Sequence, residues 1–124
     1  MPYNIKFAER GSVICFDGSI SIQDINGANA ALYGSAEFDQ HKYQIWDFLD
    51  ADLSQISVEE VDEPAATDWA SGKSIPTMRV ALVVLENHAV NLCLHYKKMI
   101  HELESRWECQ LFDSMDDAHR WVDS

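Results

Sequence analysis

Residues 78–85 read Met-Arg-Val-Ala-Leu-Val-Val-Leu, an aliphatic run broken only by Arg79. A strand with one face in water alternates apolar and polar side chains. A run without that alternation suits a strand covered on both faces, as in parallel sheets with helices above and below. The rest of the chain must therefore supply the neighbouring strands and the helices that cover them. With 124 residues it has material for one such domain, residues 1–124.

The pattern elsewhere meets that demand. Tyr3, Ile5 and Phe7 alternate with Asn4 and Lys6, which predicts a strand over 3–8. Glu9-Arg10-Gly11 is a turn in which Gly11 is expected to supply positive φ, and Val13-Ile14-Cys15-Phe16 returns as the second arm of an antiparallel hairpin. Asp17-Gly18 is expected to end that strand. Ser21 with Asp24 then opens a helix through Ile22, Ile25, Ala28 and Leu32 that stops at Gly34. A strand follows over 43–48. Ser57 with Glu60 forms a second capping box ahead of Val58, Val61, Ala65 and Trp69. Pro64 has no N–H, so this helix must kink there or restart with Pro64 in its first turn. Residues 72–76 form a loop.

After the aliphatic strand, residues 89–106 form a helix about 27 Å long. Its apolar stripe is Leu92, Cys93, Tyr96, Met99, Ile100 and Leu103, closing at Trp107, with Lys97, Lys98, His101 and Glu102 facing away. Cys109, Leu111 and Phe112 make a last strand, and Ser114 caps a final helix with Ala118, Trp121 and Val122 inward. The order ββα-βα-βα-βα implies an α/β domain: a mainly parallel sheet of about five strands, an antiparallel N-terminal strand, and helices on both faces.

Charge narrows the partners. Nine Lys+Arg stand against 21 Asp+Glu, a formal net charge of -12, which repels phosphate backbones and anionic headgroups and argues against nucleic acid. No apolar run is long enough to span a bilayer, and residues 1–10 lack a signal-peptide pattern, so the cytoplasm is the expected location. Cys15, Cys93 and Cys109 are odd in number and sit among apolar neighbours, which fits buried free thiols. Gly72-Lys73-Ser74 resembles the tail of a phosphate loop, but Thr67 stands where the loop needs glycine. His41, His88, His95, His101 and His119 show no zinc-ligand spacing and read as surface or partly buried, with His88 just before its helix. No cofactor is implied.

Two candidate sites remain. Asp47, Asp50 and Asp52 cluster where a strand ends, the place open α/β sheets use for ligands, and such carboxylates could hold a divalent cation. Otherwise they form a solvated acidic loop. The second is an apolar pocket between the proline-interrupted helix (Val61, Ala65, Trp69) and the long helix (Leu92, Tyr96, Met99). Excess apolar surface on these helices would equally suit a homodimer seam.

The run 78–84, the segment Trp46-Asp47 with Asp50-Ala51-Asp52-Leu53-Ser54, and the close Gln110-Leu111-Phe112-Asp113-Ser114-Met115-Asp116-Asp117-Ala118-His119-Arg120-Trp121-Val122 together resemble small bacterial SpoIIAA-like domains of the STAS/SEC14 type. Val122 stands where that group usually has Leu. The resemblance implies a non-enzymatic domain, similar in fold to anti-sigma-factor antagonists, with a protein partner or a small apolar, lipid-like ligand. It also implies membrane association, which the net charge disfavours. In the antagonists a serine opening the helix after the middle strand is the phosphorylation switch. Ser57 is near that placement, although their Asp-Ser-Ser-Gly pattern is absent and the capping box alone accounts for it. The expectation is therefore a binding or regulatory module. Its alternatives are a divalent-cation-dependent enzyme using the acidic loop, or a Ser57 phospho-switch.

Overall fold

A computed structural model describes residues 2–36, 38–73, 75 and 77–124. Met1, and Ser74 and Pro76 of the expected loop 72–76, lie outside the described residues. The elements run β1 (Tyr3–Phe7), β2 (Gly11–Ser19), α1 (Ile22–Tyr33), β3 (Tyr43–Asp52), α2 (Asp62–Ser71), β4 (Arg79–Val83), α3 (Asn87–Glu102), β5 (Glu108–Phe112) and α4 (Met115–Val122). One five-stranded sheet has the order β1-β2-β3-β4-β5. β1 is antiparallel to β2 and every other pairing is parallel. The α/β class and the lone antiparallel lead strand match the sequence expectation.

The aliphatic run lies inside the sheet between β3 and β5, and Met78, Val80, Ala81, Leu82, Val83 and Val84 are all buried. Leu85 emerges from the sheet and is exposed. Arg79, the one charge in the run, sits at the start of β4. Its guanidinium donates to the Trp121 carbonyl at 2.7 Å and lies over the Trp121 ring, pinning the end of α4.

Coverage of the two faces is uneven for a topological reason. Each crossover steps one strand further in the same direction, and right-handed crossovers of that kind place their helices on one side. Accordingly α1, α2 and α3 bury Leu32, Ala65 and Leu92 in one core with Ile14, Trp46 and Leu82. Among the described residues only α4, after the last strand, covers the other face, where Ala118 and Val122 pack on Tyr43, Ile45, Ala81 and Val83.

Several local expectations change. Gly11 has no positive φ; it is the first residue of β2, and a Cβ there would come within 2.5 Å of the Tyr43 ring. Its glycine permits a close ring approach instead of a turn. Asp17-Gly18 does not end the strand. β2 continues to Ser19 while the pairing shifts from Cys15↔Asp47 to Asp17↔Asp50, a bulge, and Gly18 takes φ 79°. Of the two outcomes expected at Pro64, the restart is the one seen: Pro64 falls in the first turn of α2, which begins at Asp62 after a 3-10 turn over Glu59–Val61. α3 begins earlier than expected because Glu86 caps it, accepting from the amides of His88 and Ala89, so His88 is inside the helix. The same helix stops at Glu102, and Glu104 turns the chain away at φ 58°. Among the cysteines, all free, Cys15 is only half-buried. His41 is fully buried beside the Phe7 ring, not at the surface.

Candidate functional site

Helix α2 packs against α3 and α1 above the strands, and a cavity of about 60 Å³ lies among them. β3 supplies Trp46 and Phe48 to its wall and β4 supplies Val80 and Leu82. Phe16, Trp46 and Phe48 stack in the adjoining core, Phe16 and Phe48 with ring centroids 5.0 Å apart. The helices supply Ile25, Val61, Pro64 and Leu92. Most of the lining is thus aliphatic or aromatic, as small-ligand pockets require.

Two of the lining side chains, Asn29 and Asp68, are polar and buried. Asp68 on α2 is fully buried, and its two carboxyl oxygens accept the phenol hydroxyls of Tyr33 on α1 and Tyr96 on α3. One carboxyl therefore ties together the three helices of this face. Burial raises the Asp68 pKa to about 6, against the pull of the two phenols. Burial, followed by the Asp68 charge, raises the Tyr33 and Tyr96 hydroxyls above their ordinary value. Asn29, which also borders the cavity and is buried, has an Oδ1 with no hydrogen-bond partner among the described residues.

Of the pocket residues named from sequence, Val61, Leu92 and Tyr96 border this cavity. Ala65 is buried in the adjoining core, and Met99 packs at its edge. Trp69 turns to a separate groove with Lys73, Glu104, Ser105 and Arg106, where the Lys73 ammonium lies 4.1 Å from the centre of its ring. Sequence reasoning missed Asn29 and Asp68. A signal was present: Ile22, Ile25, Asn29 and Leu32 form one helical stripe, and so do Val61, Pro64, Ala65 and Asp68, each with a polar residue on an apolar face.

Ser57 is exposed at the lead into α2. Its amide donates to Glu60 Oε1 at 2.9 Å and its Oγ accepts the Glu60 amide at 3.4 Å. Two histidines hold this lead against α3: His88 Nε2 meets the Ile56 carbonyl and His95 Nε2 meets Asp62 Oδ1, each at 2.8 Å. Val58 and Leu94, one on each of these elements, are 38% and 51% exposed.

The acidic residues take local tasks. Asp47 Oδ1 accepts the Leu49 amide at 3.0 Å, and Asp52 Oδ1 accepts the Ser54 amide at 2.9 Å. The Ser54 contacts hold the Asp52 carboxyl below its ordinary pKa. Asp50 is exposed on β3 opposite Asp17. No three His, Cys, Asp or Glu side chains among the described residues are grouped so as to hold a metal ion, Asp47, Asp50 and Asp52 included. No helix among the described residues is long and apolar enough to cross a membrane.

No family model matches the chain, and no curated protein does. Solved structures do. An anti-sigma factor antagonist from Mycobacterium paratuberculosis aligns over 98% of this chain and 93% of its own, at 16% identity and a TM-score of 0.62. An uncharacterized protein from the DUF3478 family with a SpoIIAA-like fold, from Shewanella loihica PV-4, aligns over 97% of this chain and 91% of its own, at 12% identity and a TM-score of 0.56. The fold is SpoIIAA-like.

Proposed function

We propose that this chain is a regulatory binding module, without a reaction of its own, that docks a protein partner on the face formed by the lead into α2 and by α3. The supporting observation is the pair Val58 and Leu94, large apolar side chains left exposed on two elements that His88 and His95 clamp together. The anti-sigma factor antagonist of similar fold is named for an action on another protein, which is consistent with this use of the scaffold. A net charge of -12 favours a partner with a basic face and works against a second acidic copy of the same chain.

The test is to capture partners from the native host on the wild-type chain and on Leu94→Glu and Val58→Glu, then reconstitute each captured protein as a purified pair for calorimetry. A partner that binds wild type and loses at least about tenfold in affinity with Leu94→Glu is the expected result. Equal binding by all three would place docking elsewhere. Light scattering across concentration covers the homodimer: a dimer that Leu94→Glu dissociates would replace the heterologous partner.

Ser57 supports a second reading, a phosphorylation switch, because it is exposed beside this face. Phosphate there would displace Glu60 from its reciprocal contacts and add charge next to Glu59 and Asp62. Intact mass of protein purified from its native host tests this, and an unmodified chain in every growth condition would reject it.

A further inference from the structure

Asp68 and Asn29, both on the cavity wall, keep acceptor capacity that no donor among the described residues fills, and the buried Gln44 Nε2, a donor likewise without a partner there, does not border the cavity. Both phenol protons, from Tyr33 and Tyr96, are committed to Asp68, one on each carboxyl oxygen. A carboxylate oxygen has capacity for a further donor, and Asn29 adds an orphan carbonyl oxygen on a side chain only 4% exposed. Asn29, Asp68 and Tyr96 all border the space of about 60 Å³ whose remaining walls are apolar. Buried acceptors left unmet are costly, so a molecule that completes this site must bring a donor.

We propose that the cavity binds a small neutral amphiphile with one hydrogen-bond donor at its head, of the class of short-chain alcohols, with the hydroxyl toward Asn29 Oδ1 and Asp68 and the alkyl part among Ile25, Trp46, Phe48 and Leu92. This deepens the expectation of a small apolar ligand and is independent of the Val58–Leu94 docking face. An anion of the same size is refused because it would face the Asp68 carboxylate in a low-dielectric pocket. An ether or alkane is disfavoured because it leaves the Asn29 acceptor unmet.

The experiment titrates the full isotope-labelled chain at neutral pH with 1-butanol, with its isomer diethyl ether and with butyrate, following amide and indole NMR shifts. Saturable binding of 1-butanol is expected, shifting the Trp46 indole and the amides around Asn29 and Asp68. Its affinity should exceed that of diethyl ether by about tenfold, the effect of one satisfied buried hydrogen bond, with no saturable response to butyrate. In Asn29→Leu the preference for the alcohol should fall to about onefold. Equal affinity for the two isomers in the wild-type chain would overturn the donor requirement while leaving an apolar ligand site. Butyrate binding as tight as that of 1-butanol would also overturn it. No saturable binding by any of them would remove the ligand site altogether, while docking at Leu94 is decided by its own variants. The isomer comparison needs no variant, so it decides the matter even if Asn29→Leu does not fold.

Discussion

Asp68 shows what a single buried group does to this protein. Its carboxyl has a pKa of about 6 in the folded chain against 3.8 for the ordinary group, because burial disfavours the charged form more than Tyr33 and Tyr96 stabilise it. Between those values the folded state holds a proton that the unfolded state has released. The contribution of this group to stability is therefore greatest below pH 4 and is lost as pH rises toward 6, by about 3 kcal/mol in all. Asp68→Asn cannot ionise, so urea unfolding of the two proteins should show wild type losing about 2 kcal/mol relative to the variant between pH 4 and pH 7.5. A constant difference across that range would mean the carboxyl is solvated. Asp68 and Asn29 were legible as polar residues on apolar stripes, but not as partners of one cavity. Tyr33 and Tyr96 lie 35 and 28 residues from Asp68, and only the packing of three helices brings them together.

Helix ends were the most legible elements, because a cap is written in residues only a few positions apart. Ser21 with Asp24 forms both reciprocal contacts at the start of α1, and Ser114 accepts the Asp117 amide at the start of α4. Ser57 with Glu60 does the same ahead of α2, although a 3-10 turn intervenes before the α-helix. Ser57→Ala should therefore cost about 1 kcal/mol in denaturant unfolding, without a change in the denaturant slope. A neutral result would leave Ser57 with no structural task and strengthen the case for its modification. The cap missed was Glu86, which serves α3 with a longer carboxylate than the usual short cap residues.

At the scale of the molecule, uneven helix cover leaves α4 alone on one face, so much of that layer depends on Ala118, Val122 and the anchor from Arg79 to Trp121. The whole chain also repels itself. With 21 acidic against 9 basic side chains and four ion pairs among the described residues, most of them at exposed side chains, its excess negative charge is largely unpaired. Raising NaCl from 10 to 300 mM shortens the screening length from about 30 Å to less than 8 Å and should raise Tm at pH 7.5 by several degrees. An unchanged or lower Tm would mean that local ion pairs outweigh the net repulsion.

Fold class was determined by the sequence alone, since hydrophobic period and caps are local: eight consecutive residues from Met78 demand cover on both faces, and four stretches of helical spacing provide it. Tertiary structure decided what depends on distant residues meeting. It set Gly11 against the Tyr43 ring, bulged β2 against β3 so that Asp17 pairs with Asp50, and joined Tyr33 and Tyr96 to Asp68, on the wall of a cavity that Asn29 also borders. A local pattern records which side of an element is apolar. It does not record which buried polar group lies opposite, because that follows from how the helices cross the sheet.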